Sequence, residues 1–380
     1  MKKISNYKAI SIFSGLGGMD IGLHRAGIDT KICVDKDSQA IKTLKSNSKE
    51  HDYNPFEDYP IEHKSKYPWK VIEKDVRDLE VQEILDEANL EKNEIDLLVG
   101  GSPCQPFSRS NSGNRKGTGS DRGKLYKEYC RILSDLEPRG FIFENVKGIR
   151  STNGGKDLEK IKESFREAGY KINEKVINTA DYGVPQKRKR LIILGLKDKK
   201  PQFPDPTHSN NPDNRKKNWI SVGEALKDLN IDEKVEEQGG YVNAIQGKHG
   251  HLLKDVPYGA NYQHFSERKY DSEEGTYVER EESEMDEKVF DWRSRHWNYL
   301  LKLDPERPSW TIQARPGSYT GPFHWRARRL SRLERMRLMD IPVDYHVAGD
   351  KQSEIKWQVG NAVPPGLSES LSKSLVSQMD

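Results

Sequence analysis

The segment GGSPCQPFS, residues 100–108, sets a cysteine between two prolines just after the apolar run IDLLVG. Pro103 fixes its own φ and restricts the residue before it, while Gly100 and Gly101 relax the approach, so Cys104 is presented on a stiff turn where a strand gives way to loop. A thiol there suits nucleophilic attack, whereas inert cysteines are packed inside elements. Cys33, in a strand-like run, and Cys130, in a helix-like one, read as the inert kind. ENV follows the run FIF, so Glu144 is expected to emerge at the same sheet edge as Cys104. QKRKR, residues 186–190, puts Arg188 and Arg190 on one side of an extended segment, because strand side chains alternate with period two. A free thiol with a pKa of about 8.5 is only a few per cent ionised at neutral pH, so guanidinium groups nearby would help form the thiolate.

A second group of residues is suited to holding a ligand. FSGLGG, residues 13–18, follows the first strand-like run and opens a helix-like one, so its glycines allow a tight turn and close backbone approach at a helix N-terminus. It is not the GxGxxG of dinucleotide enzymes, and alone it fixes no ligand. Asp35 ends the second strand-like run, where α/β nucleotide binders place a carboxylate for ribose hydroxyls.

These residues need a sheet to align them. Short β-prone runs alternate with amphipathic stretches up to about residue 197, the pattern of a βαβ parallel sheet. Strands are predicted at 7–13, 31–34, 95–99, 140–143, 171–177 and 191–196, and helices at 19–26, 38–46, 81–88, 124–136 and 156–168. Gly27 and Gly169 sit where helix C-caps are expected. PQFPDPTHSNNPDNRKK, beginning at Pro201, has a linker composition, and the stretch from there to about Trp325 has no sustained periodicity. The chain turns helical again at RLSRLERMRLMDI, and Pro364 and Pro365 precede a helix whose Leu367, Leu371 and Leu375 share one face. That helix is expected to return to the first domain.

At 380 residues the chain has room for two domains. Its apolar fraction of 33% is low, yet 63 basic and 60 acidic residues nearly balance, which fits a polar folded enzyme rather than a self-repelling disordered chain. The net charge of +3 conceals separate patches: basic runs at 187–190, 326–329 and 332–337, and an acidic one at 279–287. Three cysteines without a CxxC pair imply a reducing compartment, and the absence of an h-region or a long apolar stretch implies a cytoplasmic protein with no membrane partner. His249, His251 and His264 lack companion cysteines, so no metal is expected.

Taken in order, FSGLGG, Asp35, KDV at 74–76, GGSPCQPFS, ENV, QKRKR, RRLSRLERMRLMDIP at 328–342 and QVGNAVPP at 358–365 resemble the cytosine C5-specific DNA methyltransferase family of bacterial modification enzymes. The resemblance spans essentially the whole chain outside 198–309. It implies a Rossmann-like, S-adenosylmethionine-dependent α/β methyltransferase fold with a mixed, mostly parallel sheet. The catalytic domain would comprise 1–197 and 345–380, with a smaller loop-rich target-recognition domain and hinge at 198–344. It also implies that Cys104 adds to C6 of a flipped-out cytosine while Glu144 acts at N3, Arg188 and Arg190 hold the base and its backbone, and C5 then takes the methyl group. The donor pocket would consist of Phe13, Ser14, Gly15, Leu16, Gly17, Gly18, Asp35, Lys36, Asp75, Val76, Pro103, Asn361 and Val363. In the family the ribose acid is often Glu followed by a bulky apolar residue; here Lys36 follows Asp35, which changes that wall. Gln105, Ser108, Ser110 and Arg122, in and before a Gly- and Ser-rich lid, would meet double-stranded DNA. Further expectations are a monomer and a cognate restriction endonuclease acting on the same site. The alternatives are C5 methylation of tRNA by a related branch, a catalytically silent DNA binder, and a nicotinamide oxidoreductase, which offers no role for PCQ.

Overall fold

The computed structural model describes residues 7–50, 67–102, 125–229, 245, 247–293 and 296–379. The first half runs β1 (Lys8–Ile12), α1 (Gly18–Arg25), β2 (Asp29–Asp35), α2 (Ser38–Ser46), β3 (Lys70–Glu73), α3 (Val81–Ala88) and β4 (Leu97–Gly100). There follow α4 (Leu125–Leu136), β5 (Gly140–Val146), α5 (Lys156–Glu167), β6 (Lys171–Asn178), β7 (Gln186–Lys187) and β8 (Lys189–Leu196). Seven strands form one sheet in the order β3-β2-β1-β4-β5-β8-β6. Neighbours from β3 to β5 are parallel, whereas β8 runs antiparallel to both β5 and β6, so the sheet is mixed and mostly parallel.

Strand alternation builds two faces. Ile10 and Ile12 of β1 join α3, α4 and α5 in one core, whereas Ala9 joins Met19 and Leu23 of α1 in another. The second core is closed by the C-terminal helix, whose Leu367, Leu371 and Leu375 are fully buried. The chain works outward from β1 through β2 to β3, then returns to β4 on β1's other flank. That reversal leaves a crevice beyond the carboxyl ends of β1 and β4, the usual ligand position in open α/β sheets. Phe13 lies outside β1, at φ 55°. Edge strand β3 escaped the sequence pattern because its four residues KVIE are only half-buried and make no apolar run.

Beyond β8 the chain forms β9 (His208–Ser209), β10 (Lys217–Asn218), α6 (Val222–Leu226), the antiparallel pair β11 (Arg268–Asp271) and β12 (Thr276–Glu279), and β13 (Ser309–Trp310). It ends with α7 (Arg332–Leu338), α8 (Gln352–Asn361) and α9 (Pro365–Val376). α7 starts at a reciprocal capping box between Ser331 and Glu334, and α9 starts with proline in its first turn. Ile245, Leu253, Tyr262, Leu300 and Phe323 share a small core of their own. Val222, Ile312, Met336 and Val359 instead pack with Leu16, Leu44 and Trp69.

Candidate active site

β5 continues past FIF, and its ladder with β4 ends at the pair Gly100–Phe143, so Glu144 is the first residue beyond that ladder. On its other side β5 stays paired with β8, with Glu144 opposite Ile192 and Val146 opposite Arg190. Glu144 and Arg190 are therefore diagonal neighbours, and Arg190 Nε lies 2.9 Å from Glu144 Oε1 with only 13% and 14% of the two side chains exposed. Burial pushes the Glu144 carboxyl group above the ordinary glutamate range; the charges of Arg190 and then Arg188 pull against it. The result is a carboxyl group with a higher proton affinity than a free glutamate that is still anchored to a cation.

The turn after β4 is fitted around this group. A Cβ on Gly101 would stand 2.6 Å from the Glu144 carbonyl oxygen and 2.9 Å from Oε2, so no larger residue is accommodated there. Asn145 Nδ2 donates to the Ser102 carbonyl oxygen at 3.2 Å and to its hydroxyl at 3.3 Å, tying the β5 end to the segment that leads toward the thiol. Cys104 lies outside the described residues, as do Pro103, Gln105, Ser108, Ser110 and Arg122. The other two cysteines are buried, and burial pushes the Cys130 thiol up to about 12 and the Cys33 thiol well above its usual range. Neither forms a thiolate near neutral pH.

The two arginines of QKRKR act differently. Between Lys187 and Lys189 the chain leaves the short ladder with β13 and enters the main sheet, so period-two alternation does not carry through Arg188. Its guanidinium, 1% exposed, donates to the carbonyl oxygens of Ile312 at 3.3 Å, Gly360 at 2.9 Å and Ala362 at 3.0 Å. Arg188 thus clasps the C-terminal segment to the chain at Ile312, just after β13, while adding its charge to the field at Glu144.

At the β1 side of the crevice the Gly-rich turn has two faces. Ser14 turns inward, its hydroxyl accepting from Val34 N at 3.1 Å, and Leu16 is buried with its carbonyl oxygen accepting from Tyr345. Gly15, at φ +55°, has nothing within 4 Å of where a Cβ would sit. Gly18 does the opposite, since a Cβ there would stand 2.3 Å from the Val363 carbonyl oxygen. The turn, Asn361 and Val363 are thus one neighbourhood, with Asn361 exposed. Asp35 Oδ2 accepts from Gly15 N at 2.8 Å and Oδ1 from Asp37 N at 2.9 Å, and each oxygen retains capacity for another donor. Asp75 is fuller. Its Oδ1 accepts from Arg77 N and Nε, and its Oδ2 from Arg77 and Lys36 at 2.6 and 2.8 Å, which holds the group well below the usual carboxylate range. Lys36 therefore walls this side through Asp75, while Val76 is buried in the core. An open glycine turn flanked by acceptors on β2 and after β3 fits a ligand with hydroxyl and amine donors, provided Lys36 or Arg77 yields at Asp75.

Sequence reasoning did not single out Asp20. It is fully buried beneath the Gly-rich turn, and burial raises its carboxyl group to about 7 against the favourable influence of Ser11 and Cys33. Nor did it find Tyr345, 0% exposed, which crosses from the C-terminal segment to Leu16. An acid in an amphipathic helix and a tyrosine in IPVDYH carry no local signal of such burial. Among the described residues, no group of three His, Cys, Asp or Glu residues is placed to hold a metal ion, and no helix is long and apolar enough to cross a membrane.

A Gly-rich turn after β1 and a buried carboxyl group on β5, on either side of central β4, give this α/β sheet one ligand-binding edge of the kind α/β enzymes use. The model of the C-5 cytosine-specific DNA methylase family matches residues 7–377, and the chain belongs to that family. It is 31% identical to the type II methyltransferase M.SacI of Streptomyces achromogenes, over 97% of this chain and 93% of that one. To M.NgoFVII of Neisseria gonorrhoeae, another type II methyltransferase, it is 29% identical over 99% and 90% of the two chains. Among solved structures, the Dnmt2 methyltransferase of S. pombe matches with a TM-score of 0.60 at 14% identity, covering 98% of this chain and 99% of that one, a likeness of fold.

Proposed function

We propose that this enzyme methylates C5 of a cytosine flipped out of a short specific sequence in duplex DNA, through a covalent bond between Cys104 and C6. S-adenosylmethionine, when bound, supplies an electrophilic methyl group on a sulfonium. The reading rests on the Glu144–Arg190 pair at the carboxyl end of β5, joined through Asn145 to the segment two residues before Cys104.

C5 of cytosine is a weak nucleophile because its electrons belong to the aromatic ring. The Cys104 thiolate adds to C6, and the displaced electron pair moves toward N3, where a protonated Glu144 delivers its proton. The enamine so formed carries density at C5, which takes the methyl group. Loss of the C5 proton to a base, expulsion of the Cys104 thiolate and return of the N3 proton to Glu144 restore the ring and the enzyme. Burial favours the protonated Glu144 this step needs, and Arg190 keeps the carboxyl group oriented once the proton has left. A stacked base offers no path for the thiol to C6, so the nucleotide is extruded, at a few kcal/mol offset by protein contacts. Region 198–327 reads the target sequence, and the relatives' type II membership supports an accompanying endonuclease that cuts the same site.

Labelled donor offered with duplex DNA and tRNA in separate reactions tests the proposal, with bisulfite sequencing to locate the product. Label in duplex at C5 of cytosine in one sequence context is expected; label on tRNA alone overturns the DNA assignment.

A further inference from the structure

A cleft of about 690 Å³ opens between the first turns of α2 and α8 and the segment Ala314–Pro316. Arg315, Arg329 and Lys356 line it, together with the carboxylates of Asp37 and Glu354. Both carboxylates already serve their own helices. Asp37 Oδ1 accepts from Gln39 N at 3.1 Å and Ala40 N at 3.0 Å, and Glu354 Oε2 accepts from Lys351 N at 3.0 Å. Among the described residues, none of Arg315, Arg329 and Lys356 forms an ion pair. Arg329 instead donates to the Ser318 carbonyl oxygen at 2.6 Å, which holds it against the cleft wall.

Lys356 is consequently pushed below the usual lysine range, by partial burial first and then by the charges of Arg335 and Arg329. Cations gathered on a concave wall without a committed counter-charge form a seat for an anion. The cleft is also fixed to the catalytic edge. Gly360 of α8 packs so closely on Ala314 that a Cβ would stand 2.4 Å from its Cα, and Arg188 clasps Ile312, Gly360 and Ala362 two residues from Arg190. A duplex that presented a base at Glu144 would carry a phosphate at every nucleotide past the neighbouring segments, so the anion such a seat fits is a phosphodiester.

We propose that this cleft, through Lys356 and Arg315, seats a backbone phosphate of the substrate duplex flanking the flipped nucleotide. The inference rests on the DNA reading above. It makes the two side chains positioning residues that contribute affinity without reading sequence.

The test measures binding of two duplexes of unrelated sequence across a salt series, for the wild-type protein, Arg315→Gln, Lys356→Gln, the double variant and Lys356→Arg. Each phosphate contact contributes about −0.9 to the log–log slope of affinity against salt. The double variant is expected to bind both duplexes about tenfold or more weakly at moderate salt, with a slope shallower by roughly 1. Lys356→Arg is expected to keep the wild-type slope, and S-adenosylmethionine affinity and melting temperature to stay unchanged. Wild-type binding with an unaltered slope in both single variants would overturn the phosphate seat alone. Loss of donor affinity in place of DNA affinity would reassign the cleft to the donor's carboxylate. Should the wild-type protein bind tRNA and not duplex, the DNA reading falls and the cleft with it.

Discussion

Glu144 and Arg190 face each other diagonally across antiparallel β5 and β8, with Arg190 Nε 2.9 Å from Glu144 Oε1 and both side chains largely out of water. Burial raises the carboxyl group and the guanidinium opposes that rise, so in the proposed mechanism the pair sets the pH at which a proton is available to the base. Arg190→Ala removes the opposing charge and moves the Glu144 pKa further up. The alkaline limb of the kcat profile, where Glu144 loses its proton, is expected to shift to higher pH, with kcat itself lower by about 10² to 10³. A limb at the wild-type position would separate Arg190 from the titration.

Gly101 gives a purely steric test of the same carboxyl group. The methyl of Gly101→Ala would meet Glu144 Oε2 at 2.9 Å and its carbonyl oxygen at 2.6 Å. A displacement of about 1 Å in a catalytic group reduces rates about 10²-fold. The expected result is a kcat loss of that order with circular dichroism and donor affinity unchanged; a fully active variant would place the reacting carboxyl group elsewhere.

Arg188 is expected to report on stability as well as on rate. Its buried guanidinium serves three carbonyl oxygens on two segments, and each hydrogen bond from a charged donor contributes about 1.5–3 kcal/mol. Arg188→Met should lower unfolding free energy by at least about 3 kcal/mol in a denaturant titration. Unchanged stability with lost activity would mean that the guanidinium acts on substrate alone.

Much of the described site was legible because its residues sit where apolar runs end. The 13–18 turn was placed by an apolar run followed by glycines and Glu144 by the end of the run FIF, while Cys104 lies outside the described residues; α2 and α3 matched their predicted bounds because each carries helical spacing between clear stops. Long-range packing was not legible. Nothing local to QKRKR says that Arg188 will clasp residues 312, 360 and 362 while Arg190 pairs with Glu144, since the segments that separate them meet only in the fold. The filling of Asp75 by Lys36 and Arg77 was hidden for the same reason.

Asp20 predicts a pH-dependent stability. Its folded-state value of about 7 lies above the ordinary 3.8, so the folded form binds the extra proton and stability contributed below pH 4 is lost as pH rises to about 7. A shift of that size corresponds to a few kcal/mol at most, about 1.4 per unit. Asp20→Asn does not titrate, so its melting temperature relative to wild type should rise steadily between pH 4 and pH 8. A difference independent of pH would show that Asp20 stays charged in the fold.

The most direct measurement uses a duplex carrying 5-fluorocytosine at the target position, since fluorine at C5 cannot depart as a cation and the ring stays bonded to its nucleophile. Incubated with S-adenosylmethionine, the wild-type enzyme should form a denaturation-resistant adduct whose peptide map places the nucleotide on Cys104, and Cys104→Ser should form none. Turnover without any adduct, or an adduct on Cys33 or Cys130, would contradict the account.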